Sequence, residues 1–221
     1  MGVPATQDKL LQLGVKRILE AIYEQDFFRC SYGYRPNIGA LDAVDKLTIK
    51  LQFGKYHYVV EADIKGYFDN IDHQRLLEML ARRVDDQALL RLIAKWLKAG
   101  VLETDGRVVQ PSTGTPQGGI ISPILANVYL HYALDEWFQK VVKPHCHGEA
   151  CLIRYADDFV CAFEHQADAQ RFYEVLGKRL GKFGLELSAE KTQVIAFRAM
   201  PEPSQTSFNF LGFEFRWGKD R

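Results

Sequence analysis

The sequence predicts a mixed α+β fold, in which antiparallel strands carry carboxylates and helices cover one face of the sheet. Strand-like apolar runs that border aspartates are the first observation behind this prediction. The runs are residues 56–62 before Asp63, and residues 151–154 and 159–163 on either side of Asp157-Asp158. Apolar residues at helical spacing between these runs are the second observation. The chain contains no internal repeat, so we expect one compact unit.

Four apolar stripes at helical spacing predict four helices, each with one buried face. In chain order the stripes are Leu11, Val15, Ile18, Leu19 and Ile22; Leu76, Leu77 and Leu80; Leu89, Ile93, Trp96 and Leu97; and Phe172, Leu176, Leu180 and Phe183. Such stripes are typical of packing against a hydrophobic core, so we do not interpret them as cofactor contacts.

Polar residues and glycines at the ends of these stripes predict where the helices begin and end. Asp72 is a candidate N-cap for the second helix, and Asp85 or Asp86 for the third. Gly100 should end the third helix, and Gly184 should cap the end of the last one.

Two further elements are predicted from local signals. The turn dipeptide Asp105-Gly106, between Val101-Leu102 and Val108-Val109, predicts a β-hairpin. Ser122-Pro123 should supply the N-cap and the first residue of a helix that continues to about Phe138.

Length and composition agree with a single domain. The 221 residues, 47% of them hydrophobic, suffice for a sizeable core. No apolar run is long enough to cross a membrane and the N-terminus does not resemble a signal peptide, which predicts a cytoplasmic protein without a membrane partner. The four cysteines are scattered unlike a disulfide framework, which predicts free, buried thiols in a reducing compartment.

The charge balance does not by itself favour a nucleic-acid partner. With 28 basic and 28 acidic residues the net charge is zero, whereas proteins that bind phosphate backbones are usually basic over the binding face. Local positive surfaces could still form, although a solvated helix face is the simpler interpretation of each candidate. The candidates are Lys95, Lys98, Lys140, Lys143, Arg179 and Lys182.

A stretch rich in histidine and cysteine, His145-Cys146-His147 followed by Cys151, contains the residue types that bind zinc. These residues are too close in sequence for the usual arrangement of two ligand pairs, and Cys151 lies in a predicted strand. A connecting turn is the better interpretation.

Adjacent carboxylates inside an apolar hairpin repel each other. A site for two divalent cations would explain them, because hard oxygen ligands attract Mg²⁺ and the metal removes the repulsion. Asp63 ends another predicted strand, so that it could meet Asp157 and Asp158 at adjoining strand ends. The alternative is an ordinary hairpin turn, since Asp tolerates tight loops and hydrogen-bonds its own backbone.

Six motifs occur in order along nearly the whole chain. They are Ser31-Tyr-Gly-Tyr-Arg35-Pro36, Glu61-Ala-Asp63-Ile-Lys-Gly-Tyr-Phe68-Asp-Asn-Ile71, Gly114-Thr-Pro-Gln117-Gly118-Gly119-Ile-Ile-Ser122-Pro123, Arg154-Tyr-Ala-Asp157-Asp158-Phe159, Gly184-Leu-Glu-Leu-Ser-Ala-Glu190-Lys191-Thr192 and Phe208-Asn-Phe-Leu211-Gly212-Phe213. Together they resemble the group II intron reverse transcriptases, also called intron-encoded maturases. The resemblance implies a polymerase palm whose antiparallel sheet is covered by helices, plus partial fingers.

The same resemblance implies a division of the chain. Residues 1–55 would form part of the fingers, and residues 56–221 would form a palm with interleaved fingers elements. A fingers segment that holds the triphosphate, the thumb and the maturase domain would lie outside this chain. We therefore expect the isolated core to be only weakly active.

The chemistry implied by the resemblance is RNA-directed DNA polymerisation with two metal ions. Asp63, Asp157 and Asp158 would be the catalytic carboxylates that hold two Mg²⁺ ions, which Mn²⁺ could replace. The backbone carbonyl of Ile64 would complete the shell of one metal. The implied partners are an RNA template with a DNA primer, deoxynucleoside triphosphates and group II intron RNA, whereas the oligomeric state is not predicted.

Other motif residues have implied roles in nucleotide binding. Phe68 would lie under the sugar of the incoming nucleotide and exclude a 2′-hydroxyl group. Pro116, Gln117 and Gly118 would pass close to the templating pair, since glycine allows close approach of the backbone. Lys191 would lie near the leaving pyrophosphate, whose charge an ammonium group stabilises whether or not it donates a proton. Without the resemblance, Phe68 would be interpreted as core and the glycine-rich segment as a loop.

Two more sets of residues would contact nucleic acid. Phe210, Leu211 and Gly212, in the predicted hairpin of residues 208–213, would support the primer end. For Arg35 two interpretations stay open: it contacts nucleic acid, or it braces the fingers by binding backbone carbonyls.

Alternative functions also stay open. A non-enzymatic intron RNA-binding or maturase splicing module would bind intron RNA without incorporating nucleotides. Another two-metal palm enzyme, such as a nucleotide cyclase, would not need the template and primer motifs. Retron and CRISPR-associated reverse transcriptases share the catalytic motifs, but the wording of the first two motifs favours group II introns.

Overall fold

The computed structural model describes residues 6–99, 101–102, 108–109, 112–115, 119–198 and 206–218. The α-helices in these residues are α1 (Thr6–Tyr23), α2 (Ala40–Phe53), α3 (His73–Leu80), α4 (Gln87–Leu97), α5 (Ser122–Leu130) and α6 (Gln166–Gly181). The strands are β1 (Tyr58–Ala62), β2 (Val101–Leu102), β3 (Val108–Val109), β4 (Ala150–Tyr155), β5 (Asp158–Phe163), β6 (Gln193–Ala196), β7 (Phe208–Phe210) and β8 (Phe213–Phe215).

An antiparallel sheet with the strand order β4-β5-β1-β6 forms the centre of the molecule. β4 and β5 form a hairpin, and β5 also pairs with β1, where Ala62 lies opposite Phe159. β6 covers the other edge of β1, with Glu61 opposite Gln193. Because Asp63 follows the last residue of β1, it lies beside the start of β5 and the turn that precedes it.

The two faces of the sheet belong to two hydrophobic clusters, because successive strand residues point to opposite sides. Val60 and Phe159 belong to the larger cluster, with residues of α1, α3, α4, α5 and α6. Val59 and Val160 belong to the smaller cluster, with residues of α2 and the β7–β8 hairpin. The predicted mixture of helices and antiparallel sheet is confirmed, but elements cover both faces where the sequence predicted helices on one.

The helix on the second face, α2, is not among the predicted helices. It buries Ala43, Val44, Leu47 and Leu51, whose spacing is helical, so the signal for it is present in the sequence. α2 packs mainly against the edge strand β4.

Predicted helix ends are confirmed by hydrogen bonds. Asp72 caps α3 by accepting from the N–H of Arg75, and Asp86 caps α4 by accepting from the N–H groups of Ala88 and Leu89. Gly184 follows α6 with a φ of +71°, and its N–H donates to the carbonyl of Gly181. These ends depend on local sequence alone, which explains why they could be predicted.

The buried face of α1 differs from the predicted one. Leu11 and Ile18 are exposed, whereas Gln12 is buried beside Val15. The side-chain oxygen of Gln12 accepts a hydrogen bond from the N–H of Ile120, 3.0 Å away. This contact with a distant segment satisfies the polar group that Gln12 places on the buried face of α1.

The helix that follows the glycine-rich segment also differs in its ends. Ser122 is its first helical residue and Ile121 occupies the N-cap without a side-chain hydrogen bond. The chain stays helical beyond the predicted end, through π-helical turns at His131–Asp135 and Phe138–Val142 and a 3₁₀ turn at Lys143–His145.

The β2–β3 hairpin is confirmed, with Leu102 opposite Val108. Its predicted turn, Asp105-Gly106, lies outside the described residues, and so does Gly100; α4 already ends at Leu97. All four cysteines are free thiols, of which Cys146 is the one that is partly exposed. No helix in the described residues is long and apolar enough to cross a membrane.

Candidate active site

The aspartate pair occupies a tight turn at one end of the central sheet. Tyr155 pairs with Asp158, so that Ala156 and Asp157 form a two-residue hairpin loop. Ala156 has a φ of +55°, in the left-handed region that such loops use. Asp158 therefore opens β5 directly beside Asp63 at the end of β1.

The three carboxylates at this end of the sheet influence one another electrostatically. Burial raises the pKa of Asp157, and the charge of Asp63 raises it further. Burial also raises the pKa of Asp158, and the charges of Asp157 and Asp63 add to that effect. The fold thus opposes ionisation of Asp157 and Asp158, which a bound cation would reverse.

A cleft of about 350 Å³ opens beside these carboxylates, between the central sheet and the β7–β8 hairpin. Asp63, Asp158 and Lys191 line it together with Phe210 and Leu211 of the hairpin. Residues from four separate sequence motifs therefore share one cavity. Asp157 lies in the adjoining turn.

Lys191 places a positive charge inside this cleft. Its Nζ atom lies 3.4 Å from the carboxylate of Asp63, and its side chain is 71% exposed. Against the effect of burial, the ammonium charge lowers the pKa of Asp158. An ion pair with one largely exposed partner contributes little to stability, so its significance is the positive charge that it places beside the carboxylates.

The donor set at this site suits Mg²⁺, because carboxylate oxygens are the ligands of two-metal phosphoryl-transfer sites. Among the residues that the structure describes, no group of three His, Cys, Asp or Glu side chains is positioned to hold a metal ion. The chemistry of Asp63, Asp157 and Asp158 therefore fits the ion, although their side chains are not positioned together to hold one in this structure. The zinc interpretation of His145 to Cys151, which the sequence disfavoured, gains no support either.

A buried arginine stabilises the aspartate turn through hydrogen bonds. Arg154 is 0% exposed and donates to both carboxylate oxygens of Asp135, at 2.8 and 2.6 Å. It also donates to the carbonyl of Ala156 at 2.8 Å, and to the side chains of Asn127 and Ser31. Sequence reasoning missed this role, although a charged residue inside an apolar strand was a signal for it.

Phe68 is half-buried in the 3₁₀ turn Tyr67–Asp69. Its ring meets Tyr34 edge-on, with the ring centroids 6.5 Å apart, and Tyr34 also contacts Tyr155 at 6.3 Å.

Tyr34 is a second residue of this site to which the sequence assigned no role. It is 45% exposed and has a φ of +56°, which is unfavourable for a side chain of its size. Burial raises its pKa, and the charge of Asp157 raises it further. Backbone strain of this kind is concentrated at functional sites, which supports a role for Tyr34 next to Phe68.

Pro116, Gln117 and Gly118 lie outside the described residues, and their contact with the templating pair stays a prediction. The segment just before them is anchored to the Phe68 turn, because the N–H of Thr115 donates to the carbonyl of Phe68 at 2.8 Å. Gly114 has a φ of +89°, and a Cβ atom there would lie 2.9 Å from the same carbonyl oxygen. Only glycine allows this approach.

Arg35 makes its contacts within the protein. Its guanidinium group donates to the carboxylate of Glu24 at 2.7 Å and to the carbonyls of Phe28 and Ser31 at 3.1 and 2.7 Å. These are the carbonyl contacts of the bracing interpretation. A contact with nucleic acid stays a prediction.

The predicted hairpin at the end of the chain is present as β7 and β8. Leu211 and Gly212 form its turn with φ values of +52° and +81°, and Phe210 is buried just before it. The turn borders the cleft that contains Asp63 and Asp158. The primer contact of Phe210, Leu211 and Gly212 stays a prediction.

Comparison with known proteins identifies relatives of this chain. The chain is 47% identical over 131 residues to the group II intron-encoded protein LtrA of Lactococcus lactis, covering 59% of this chain and 21% of LtrA. It is 41% identical over 141 residues to an uncharacterised 91 kDa protein in the cob intron of Schizosaccharomyces pombe, covering 64% of this chain and 17% of that protein. The chain therefore spans about a fifth of the length of these relatives, and its predicted resemblance to group II intron proteins is confirmed.

Solved structures show the same fold at low sequence identity. Apo telomerase from Candida tropicalis matches 94% of this chain and 39% of its own, with a TM-score of 0.70 and 14% identity. The family described as reverse transcriptase (RNA-dependent DNA polymerase) matches residues 1–215. Since this match covers nearly the whole chain, the protein belongs to the reverse transcriptase family.

Proposed function

We propose that this chain is the catalytic core of an RNA-directed DNA polymerase that extends a primer on an RNA template. The observation that carries the proposal is the cleft in which Asp63, Asp158 and Lys191 face the tip of the β7–β8 hairpin. Relatives support an RNA partner: LtrA is an intron-encoded protein, and telomerase from Candida albicans was solved with a fragment of telomeric RNA. Intron RNA and deoxynucleoside triphosphates are the further partners.

In this proposal the carboxylates of Asp63, Asp157 and Asp158 and the carbonyl of Ile64 hold two Mg²⁺ ions. Such ions, when bound, neutralise charge that develops on the transferred phosphoryl group. The ammonium group of Lys191 stabilises the charge of the departing pyrophosphate.

The surrounding residues select and orient the substrates. Phe68, backed by Tyr34, limits the space at the sugar of the incoming nucleotide. The turn at Leu211 and Gly212 supports the primer end. In domain terms, residues 1–55 act as partial fingers and residues 56–221 as the palm.

The test is primer extension on an RNA template with deoxynucleotides and Mg²⁺, comparing the wild type with Asp158→Asn. We expect slow extension by the wild type and a loss of at least about a hundredfold in the variant, since removing a metal ligand costs several kcal/mol of transition-state stabilisation. Asp85→Asn is the matched control, because Asp85 is exposed and lies outside the cleft.

Equal extension by wild type and Asp158→Asn would refute the proposed chemistry. Tight binding of intron RNA without any extension would instead favour the non-enzymatic splicing module.

A further inference from the structure

A second cleft, of about 330 Å³, opens at the outer edge of the central sheet. Its floor is formed by Cys151, Leu152 and Ile153 of the edge strand β4. In the described part of the chain it shares no lining residue with the cleft of Asp63 and Asp158. It is therefore a separate surface, two strands away from β1.

Four basic side chains line this second cleft and come from three separate segments. Lys46 and Lys50 lie one turn apart on α2, Arg29 lies in the loop after α1, and Lys143 begins the 3₁₀ turn after α5. The described lining residues include no acidic side chain. A solvated helix face does not explain this pattern, because the charges converge from different parts of the chain.

These four cations differ from other basic residues of the chain in their contacts. Within the described residues none of them forms an ion pair, although Lys50 lies over the ring of Tyr56 with its Nζ 5.5 Å from the centroid. By contrast, Lys140 pairs with Glu136, and Arg179 donates to backbone carbonyls. The chain as a whole has zero net charge, so four cations collected in one cleft make that cleft locally positive. A locally positive cleft attracts an anionic ligand.

We propose that this basic cleft, formed by Arg29, Lys46, Lys50 and Lys143, binds the phosphodiester backbone of RNA. A chain of phosphates fits better than one phosphate, because three of the four side chains are exposed and none is enclosed around a single anion. The proposal rests on the proposed function for its choice of RNA as ligand. Its consequence is affinity for RNA that does not depend on the carboxylates.

The experiment measures binding of a fluorescein-labelled oligouridylate by anisotropy over a series of salt concentrations, with EDTA present to exclude metal. The variant Lys46→Gln/Lys50→Gln/Lys143→Gln should bind more weakly, and its plot of log K against log salt should become shallower by about two, since each lost single-strand phosphate contact removes about 0.7. The variant Lys46→Arg/Lys50→Arg/Lys143→Arg keeps the charges and should keep the wild-type slope.

A matched control removes the same number of charges elsewhere. Lys95→Gln/Lys98→Gln/Lys178→Gln changes exposed lysines outside the cleft and should retain the wild-type slope. The proposal would be overturned if both glutamine variants changed the slope equally, or if the cleft variant left it unchanged. It would also be overturned if uridine monophosphate at an equal phosphate concentration displaced the RNA. Because extension is measured separately, each of these results would leave the polymerase proposal standing.

Discussion

At the scale of single residues, Arg154 links Ser31 of the first motif to the aspartate turn. Removing a guanidinium group from water is costly unless its charge and its donors are all satisfied. Arg154 meets that condition through Asp135, which is also 0% exposed, and through Ser31, Asn127 and the carbonyl of Ala156. One side chain therefore fixes the turn that contains Asp157.

We expect Arg154→Lys to lower the free energy of unfolding by about 3 kcal/mol, because lysine cannot form the bidentate ion pair that Arg154 makes with Asp135. Primer extension should fall further than stability alone explains, since the turn of Asp157 loses its support at Ala156. Denaturant unfolding and extension at a temperature where both proteins are folded are the measurements.

Arg179→Lys is the control for this change. Arg179 also donates to backbone carbonyls, those of Ala133 and Tyr132, but does not contact the aspartate turn. If Arg154→Lys kept both its stability and its extension rate, the positioning role of Arg154 would be wrong.

At the scale of elements, close backbone packing holds the first motif against the aspartate turn. A Cβ atom at Gly33 would clash with the backbone N of Ala156. The carbonyl of Gly33 accepts a hydrogen bond from the side chain of Asn127 at 2.6 Å. The loop between α1 and α2 therefore packs between α5 and the hairpin of β4 and β5.

Gly33→Ala should therefore displace one of these two loops and destabilise the protein by about 1 to 3 kcal/mol, the usual cost of overpacking. We also expect primer extension to be lost, because displacement of either loop breaks the packing of Gly33 against the turn that contains Asp157. Thermal unfolding and primer extension test this. Gly14→Ala on the exposed face of α1 is the control, where nothing lies within 4 Å and alanine should stabilise the helix by about 0.5 to 1 kcal/mol. A well-folded, fully active Gly33→Ala protein would contradict the predicted clash.

At the scale of the whole molecule, the central sheet assembles a site from segments that are far apart in the chain. Asp63 comes from the end of β1, Asp158 from the start of β5, and Lys191 from the segment before β6. Hydrophobic clusters on both faces hold these strand ends together against the repulsion of the carboxylates. At this site the repulsion between the carboxylates therefore lowers the stability that the hydrophobic packing provides.

This repulsion predicts how stability depends on pH. Because the folded state raises the pKa of Asp157 and Asp158, it binds their protons more tightly than the unfolded chain does. The stabilising contribution is complete below the ordinary carboxyl pKa, about 4, and is lost as the pH rises through the raised values. Asp158→Asn, which cannot ionise, should melt about 1 to 2 °C above the wild type at pH 7 and show no such gain at pH 3.

Melting temperatures at both pH values, with and without Mg²⁺, provide the measurement. Mg²⁺ should narrow the difference at pH 7, since it compensates the carboxylates of the wild type. The control Asp85→Asn should show no difference that depends on Mg²⁺. A variant that melts below the wild type at pH 7 would show that the charge of Asp158 stabilises the fold.

Local patterns in the sequence determined much of this protein. The caps Asp72, Asp86 and Gly184 and the hairpin at Leu211-Gly212 depend on residues close together in the chain, and the structure has them where they were predicted. The six motifs indicated the family, and the family model that matches residues 1–215 confirmed it.

Tertiary structure alone decided the features that depend on distant contacts. Gln12 is buried because Ile120 supplies its partner, and Arg154 is satisfied by Ser31, 123 positions away in sequence. Distant contacts also decide that both faces of the sheet are covered and that Tyr34 lies beside Phe68. The physical reason is that a buried polar or strained residue is stabilised by partners that the chain brings together only when it folds.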